Sequence, residues 1–130
     1  MKILVIRSHR PEAELYIYDD TEKLAEIRWQ AHRQLAETLH KQVKKILNKS
    51  SVSLKDIQGI VCFKGPGSYT GLRIGLSVAN ALAYAQKIPI VAHGGEDWLE
   101  KAVADLSAGK NDKIVVPEYG APPKTTSPKK

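Results

Sequence analysis

The chain has 130 residues, of which 42% are hydrophobic and 26% charged, so it is long enough for one domain with its own core. Its single cysteine, Cys62, excludes an internal disulfide and a zinc site built from cysteines. The net charge of +6 suits weak, salt-sensitive contact with nucleic acid, but solubility and complementarity to helix dipoles explain it more simply.

The N-terminal apolar run over residues 3–6 is shorter than the apolar part of a signal peptide. No stretch approaches the roughly 20 apolar residues that cross a bilayer. We therefore expect a cytoplasmic protein without a membrane partner.

Residues 2–30 are predicted to form a three-stranded antiparallel meander. An apolar, β-branched first strand ends before the break at residues 8–11. Residues 13–18 and 23–29 then alternate between apolar and polar, which predicts strands with one solvated face carrying Glu14 and Tyr16. The adjacent carboxylates at 19–20 are interpreted as a hairpin turn rather than a metal or acid/base site.

The periodicity changes after residue 31. Apolar residues at helical spacing predict an amphipathic helix over about 32–48, with the stripe Leu35, Leu39, Val43, Ile46 and Leu47. Residues 53–56 have the pattern of a cap on a short helical turn. Residues 57–63 are apolar on both faces, which predicts a strand of a parallel sheet with Cys62 as a buried hydrophobe.

The second half of the chain continues with a glycine-rich loop, a helix over about 70–86 and a buried strand over 88–92, a right-handed crossover unit. A helix over about 96–106 and a strand over 113–116 follow. From residue 117 onward Pro, Lys, Ser and Thr dominate, which predicts an extended basic tail. The predicted organisation is a folded lobe over 1–108 and a C-terminal strand and tail over 109–130.

The loop has the order strand, Gly65-x-Gly67-x-x-x-Gly71, helix, which can direct backbone N–H groups toward phosphate. It lacks the Lys-Ser or Lys-Thr pair of a Walker loop, and its third glycine comes one residue later than in the dinucleotide fingerprint. The alternative is a tight turn with Ser68 or Thr70 capping the helix. The candidate residues near a nucleotide are Gly65, Gly67, Ser68, Thr70 and Arg73.

The helix over 70–86 is unusually apolar, so we expect it to be covered on more than one side. Its polar side chains form one narrow stripe, made of Arg73, Ser77, Asn80, Tyr84 and Lys87. A ridge of small residues lets another backbone approach closely, either the chain's own sheet or a second helix. The ridge comprises Gly71, Gly75, Ala79 and Ala83.

The segment Gly65-Pro66-Gly67-Ser68-Tyr69-Thr70-Gly71-Leu72-Arg73-Ile74-Gly75 resembles the signature of the TsaB family, which acts in the biosynthesis of threonylcarbamoyladenosine in tRNA. The resemblance covers about residues 30–92 well and the first thirty more loosely. It extends to Ser53–Ile57 before the segment and to Ala79, Leu82, Ala83 and Pro89 after it. It implies an α/β fold, the single N-terminal lobe of the actin/Hsp70 (ASKHA, RNase H-like) type, with a mixed five-stranded sheet flanked by helices.

The same resemblance implies a non-catalytic subunit that binds and stabilises a TsaD-like transferase through its two main helices. It also implies a TsaE-like ATPase as a further partner, tRNA contact through the complex, and a homodimer when the partner is missing. The chain alone is expected to bind no cofactor, with ATP or ADP bound only in the complex. The implied interface residues are Leu35, Leu39, Val43, Gly71, Leu72, Gly75, Val78, Ala79, Leu82 and Ala83.

Three departures from the family pattern qualify these expectations. Arg7-Ser8-His9 stands where an Asp-Thr-Ser-like phosphate loop is usual, and a cation there opposes Mg²⁺–nucleotide binding. The histidines (His9, His32, His40 and His93) lack the spacing of paired metal ligands, so neither a metal nor a catalytic residue is expected. The chain is also short, which favours a reduced single-lobe form over a truncation, although residues 117–123 still resemble the Pro-x-Tyr segment near the family's C-terminus.

Two other functions remain open at this point. The first is a nucleotide-binding protein that uses the glycine-rich loop. The second is a module that self-associates through the apolar helix over 70–86.

Overall fold

A computed structural model describes residues 1–67 and 69–118 of the chain. Its centre is a five-stranded mixed sheet with the strand order β3-β2-β1-β4-β5. The strands are β1 (Lys2–Arg7), β2 (Glu12–Asp19), β3 (Glu22–Gln30), β4 (Gly59–Phe63) and β5 (Ile90–His93). Strands β1, β2 and β3 pair antiparallel, whereas β1, β4 and β5 pair parallel. The predicted meander, the buried parallel strand and the mixed five-stranded sheet are thereby confirmed.

Three helices of the described chain cover the sheet. Helices α1 (Leu35–Ser50) and α2 (Tyr69–Gln86) pack on one face, and α3 (Trp98–Ser107) packs on the other against β4 and β5. A 3-10 turn over 32–34 precedes α1, so the α-helix begins three residues later than predicted. The predicted cap at Ser53 is confirmed, because Ser53 and Asp56 form a capping box on a second 3-10 turn.

The alternation of side chains along β1 builds a core on each face of the sheet. Leu4 and Ile6 lie under α1 and α2, whereas Ile3 and Val5 lie on the face of α3. Cys62 is fully buried in the first core, which confirms its interpretation as a hydrophobe, and burial raises the pKa of its thiol.

The predicted strand over 113–116 is wrong, since the structure has no strand there. The amide side chain of Asn80 instead donates to the carbonyl of Val115 at 3.0 Å and accepts from its N–H at 2.9 Å. Because a side chain satisfies both backbone groups, this segment pairs with α2 and not with a neighbouring strand. We call residues 111–118 the strap, because they run beside α2 and β5 toward the glycine-rich loop.

The boundary at residues 108/109 and the basic tail stay predictions, and residues 119–130 lie outside the described part of the chain, as does Ser68. Among the residues that are described, no helix combines the length and apolar character needed to cross a membrane.

Candidate functional site

The C-terminal ends of the three parallel strands meet at one edge of the sheet, which is where open α/β sheets commonly bind ligands. Three segments converge there, namely the β1–β2 connection (8–11), the glycine-rich loop (64–67) and Gly94–Gly95 after β5. The amide N–H of Lys64 donates to the His93 carbonyl at 3.0 Å, and that of Gly95 donates to the Gly65 carbonyl at 3.1 Å. The loop is thus tied to the segment that follows β5.

The end of the strap lies directly against Gly65. The amide of Glu118 donates to the Lys64 carbonyl at 2.6 Å. Gly65 has a φ of +129°, and a Cβ added to it would stand 2.1 Å from the carbonyl oxygen of Glu118. Similarly, a Cβ on Gly94 would stand 2.1 Å from the Gly65 carbonyl oxygen and 3.0 Å from a carboxylate oxygen of Glu118. These two glycines are therefore required by close packing within the chain.

The third glycine of this edge faces His9. A Cβ on Gly67 would stand 2.7 Å from Cβ of His9 and 2.9 Å from its ring. The His9 ring packs on Phe63 with centroids 4.4 Å apart, and the Arg7 guanidinium lies 5.1 Å from the Phe63 centroid and 5.8 Å from that of Trp98. Burial, and then the cations nearby, lower the pKa of His9 to about 4, so its ring is neutral at pH 7.

The ridge of small residues on α2 faces the chain's own sheet. A Cβ on Gly75 would stand 2.0 Å from Oγ of Ser8 and 3.6 Å from Ile6. The Ser8 hydroxyl is buried and donates to the carbonyl of Gly71 at 2.8 Å. Of the two alternatives for the ridge, the structure selects the sheet.

Most of the residues expected at a partner interface are therefore core residues. Their side chains are less than 9% exposed, and contact with a partner would require the lobe to open. This corrects the surface role expected for Leu35, Leu39, Val43, Leu72, Ala79 and Ala83, and Gly75 is likewise buried. Three of the expected residues keep part of their surface accessible, namely Gly71, Val78 and Leu82.

The accessible surface of the paired helices is a groove of about 510 Å³ between α1 and α2. Ala36 and His40 line it from α1, and Ile74, Ser77 and Val78 line it from α2. Thr70 and Arg73, two of the candidate nucleotide-proximal residues, also line this groove. Ala36 and His40 were not predicted as groove residues, although their four-residue spacing beside the Leu35/Leu39 stripe was a usable signal.

A buried ionic cluster on the α3 side of the sheet was also missed. Glu14 was expected on a solvated face but is 1% exposed, and it accepts hydrogen bonds from the Tyr16 hydroxyl and from Arg10. Burial alone would raise the pKa of Glu14, but Tyr16, Arg10, Arg7 and Arg28 together hold it below its usual value. Each charge has a partner, so the cluster fixes the β1–β2 connection.

The histidines of the described chain have different neighbours. His9 packs on Phe63, His40 lines the helix groove, and Nε2 of His93 lies 2.6 Å from an Asp105 carboxylate oxygen. Within residues 1–67 and 69–118, no group of three or more His, Cys, Asp and Glu side chains is placed to hold a metal ion. The side chain of His32 is outside the description.

A family model described as "TsaD: tRNA N6-adenosine threonylcarbamoyltransferase" matches residues 29–93. This range contains β4, the glycine-rich loop, α2 and β5.

Curated relatives carry two names. The tRNA threonylcarbamoyladenosine biosynthesis protein TsaB of Bacillus subtilis (strain 168) is 48% identical over 50 residues, which are 38% of this chain and 22% of that protein. TsaB of Escherichia coli (strain K12) is 39% identical over 66 residues, 47% of this chain and 29% of that protein. The tRNA N6-adenosine threonylcarbamoyltransferase of Syntrophus aciditrophicus (strain SB) is 39% identical over 89 residues, 68% of this chain and 24% of that protein. The matches span less than a third of these relatives.

Two solved structures share the fold. YeaZ from Pseudomonas aeruginosa aligns with a TM-score of 0.67 at 24% identity, over 72% of this chain and 43% of that chain. Thermus thermophilus RuvC in complex with a Holliday junction aligns with a TM-score of 0.54 at 12% identity, over 92% and 85% of the two chains. At these identities the likeness concerns the fold alone. The predicted RNase H-like, ASKHA-type lobe and the resemblance to TsaB are confirmed.

Proposed function

Since this chain belongs to the family whose model is described as TsaD: tRNA N6-adenosine threonylcarbamoyltransferase, as a TsaB/YeaZ-type member, we propose that it is a non-catalytic partner subunit in forming N6-threonylcarbamoyladenosine in tRNA. Its partner is a TsaD-like transferase, which it binds and stabilises. The contact surface is the groove between α1 and α2.

One observation carries this proposal. Ile74, Val78 and Leu82 form a row along α2 at a spacing of four residues, and all three are apolar but only partly buried. A half-covered apolar row beside an open groove is typical of a helix that completes its packing on another protein. Ser77 and Ala36 at this groove are small, so the backbone of a second helix can approach closely.

The filled strand edge supports a role without nucleotide chemistry in the chain alone. Gly65 and Gly67 of the glycine-rich loop pack closely against Glu118 and His9 of the same chain. Binding of a Mg²⁺–nucleotide pair would need a carboxylate at position 7. The chain has Arg7 there, which packs on aromatic rings and lies near Glu14. ATP or ADP then binds only in the assembled complex, where a TsaE-like ATPase is a further partner.

A single substitution in the groove tests the proposal. Ser77→Arg places a long cation in the groove and is expected to weaken the complex with the cognate TsaD-like transferase about tenfold or more. Ser107→Arg makes the same change on the exposed end of α3, on the other side of the sheet, and is expected to leave the complex intact. Both variants are co-expressed with the transferase, and the complex is measured by light scattering after size exclusion.

The modified nucleoside in tRNA provides the functional measurement. Loss of threonylcarbamoyladenosine with Ser77→Arg but not with Ser107→Arg is the expected result. The proposal is wrong if the unsubstituted chain forms no complex with the transferase, or if both variants behave alike.

Self-association is the second candidate function, because the same half-covered row could pack on its copy in a second chain. Light scattering of the isolated chain distinguishes it. A dimer that Ser77→Arg splits, and that persists in the presence of the transferase, would favour this candidate over the partner role.

A further inference from the structure

A second open surface lies at the C-terminal end of α2, away from the glycine-rich loop. A cleft of about 580 Å³ is lined there by Tyr84, Lys87 and Ile88 from α2 and its end, and by Asn111 and Lys113 from the strap. Tyr84 is 88% exposed, although aromatic side chains usually bury most of their surface. The cleft therefore contains an accessible ring and two lysines in its lining.

Both lysines hold an unusual backbone conformation. Lys87 has a φ of +57° and Lys113 a φ of +68°, values that favour glycine or asparagine. Lys87 directly follows α2, and its N–H donates to the Tyr84 carbonyl at 3.3 Å. Lys113 is the central residue of a tight turn, because the Ile114 amide donates to the Asp112 carbonyl at 2.7 Å. Lysine at both positions costs conformational energy that glycine would avoid, which points to a use for the charge.

The position of Lys113 is fixed by hydrogen bonds to the sheet. The side-chain oxygen of Asn111 accepts from the amide of Lys113 at 2.8 Å and from that of Ile90 at 3.1 Å. The amide of Asp112 donates to the Ile90 carbonyl at 2.8 Å. The two sides of the cleft are thus connected through β5, and the strap holds Lys113 in place.

The charged residues that line the cleft are Lys87 and Lys113, both positive. Residues 32–92 contain nine Lys and Arg against two Asp and Glu, and residues 57–95 contain no acidic residue. The acidic residue nearest along the strap, Asp112, is engaged by the amide of Ala92 at 3.2 Å and by Lys110. Within the part of the chain that the structure describes, neither Lys87 nor Lys113 forms an ion pair.

We propose that this cleft binds single-stranded RNA, with a base stacked on the ring of Tyr84 and backbone phosphates on Lys87 and Lys113. An exposed aromatic ring beside cations in an acid-free groove is the arrangement by which single strands are held without a fixed sequence. The inference rests on the proposed function for the identity of its ligand, because an assembly that modifies N6 of an adenosine must hold that base unpaired to reach the atom. It assigns to this chain a direct RNA contact that is separate from the helix groove.

Fluorescence anisotropy of the 130-residue chain alone tests the proposal, with an end-labelled single-stranded RNA of about 12 nucleotides as the probe. Tyr84→Ala is expected to weaken binding about tenfold, whereas Tyr84→Phe keeps the ring and the affinity. The double variant Lys87→Gly/Lys113→Gly is expected to reduce the slope of log affinity against log salt concentration by about 1.4, about 0.7 for each phosphate contact to a single strand.

The choice of glycine keeps the test independent of folding. Glycine suits a positive φ, so the Lys87→Gly/Lys113→Gly variant is expected to unfold at the same temperature as the unsubstituted chain or higher. Lys41→Ala/Lys45→Ala removes two charges from the exposed side of α1 and serves as the matched control. This control is expected to change RNA affinity much less than the cleft variant.

Three results would overturn the proposal. The first is no RNA binding at about 50 mM salt. The second is equal loss with the α1 control and none with Tyr84→Ala, which means general charge attraction. The third is a complex with the transferase that requires Tyr84 while RNA binding does not, which assigns the cleft to protein contact. Since the RNA measurement uses the chain without a partner, its failure is distinct from loss of the complex with Ser77→Arg.

Discussion

The two ends of α2 meet the same backbone requirement, a positive φ, with different residue types. Each end requires residues with a positive φ, and the N-terminal end uses Gly65 where the C-terminal end uses Lys87 and Lys113. At the N-terminal end the neighbouring backbone leaves no room for a Cβ, because the Glu118 carbonyl oxygen lies 2.1 Å from where it would be. At the C-terminal end the positions are exposed and side chains are retained.

The glycines of the family signature and the lysines of the proposed binding cleft therefore lie at different ends of α2. The glycines that attract attention in the sequence are packed by the chain itself, so in this lobe they serve the fold. Lys87 and Lys113 belong to no sequence motif, yet both line an open cleft and both have an unfavourable positive φ. A glycine in the left-handed region is explained by sterics alone, whereas a lysine there needs a further reason.

The largest expected effect comes from adding a side chain at the N-terminal end of α2, which we call the closed end because the strap packs against Gly65 there. Gly65→Ala is expected to lower the free energy of unfolding by about 3 kcal/mol or more, because the new Cβ adds a clash with the Glu118 backbone to an unfavourable φ. Urea denaturation measures the change.

The matched control is Gly109→Ala. Gly109 has a φ of +88°, and a Cβ added there would meet no atom within 4 Å. This variant therefore keeps the conformational cost, about 1 kcal/mol, without the clash. Equal losses in the two alanine variants would mean that the loop is not closed by the strap, and the contrast between the two ends would fail.

A smaller effect of opposite sign is expected at the open end. Lys87→Gly and Lys113→Gly are each expected to change the free energy of unfolding by less than about 1 kcal/mol, in the stabilising direction, since relief of the positive φ offsets the backbone entropy of glycine. Lys44→Gly within α1 is the comparison and is expected to cost about 1 kcal/mol. A cost at position 87 or 113 as large as at 44 would show that these lysines are not strained.

The pH dependence of stability provides a separate test at the N-terminal end of α2, through His9. Since the pKa of His9 is lowered to about 4 from its ordinary 6.5, the unfolded chain binds a proton in this interval that the folded chain does not. Stability from this group is complete above pH 6.5 and is lost as the pH falls toward 4. The urea midpoint of the unsubstituted chain is expected to fall more steeply between about pH 7 and pH 5 than that of His9→Gln. Parallel slopes would mean that the His9 ring is solvated.

The fold was largely predictable because it depends on periodicities that the chain carries locally. Alternation over 13–18, helical spacing from Leu35 to Leu47 and continuous apolarity over 57–63 each correspond to an element of the structure. The strand over 113–116 was mispredicted for a physical reason, since the amide of Asn80, 35 residues away in sequence, takes the hydrogen bonds that a strand would use.

The candidate site was less predictable. Leu39 and Ala79 were expected at a partner interface but are buried inside the chain, because the sequence alone could not say whether apolar residues pack inside the chain or against another. Glu14 was expected in solvent. Its carboxylate is buried instead, and hydrogen bonds from Tyr16 and Arg10 offset the cost of removing it from water.

The sequence by itself determined the family resemblance, the order of strands and helices up to residue 107, and the apolar excess of α2, because these depend on residue type and spacing along the chain. Only the tertiary structure decided that the ridge at Gly75 faces Ser8, that Glu118 closes the glycine-rich loop, and that Lys87 and Lys113 share a cleft. These contacts join residues far apart in the chain, and no local pattern encodes which distant backbone will fill the space beside a glycine.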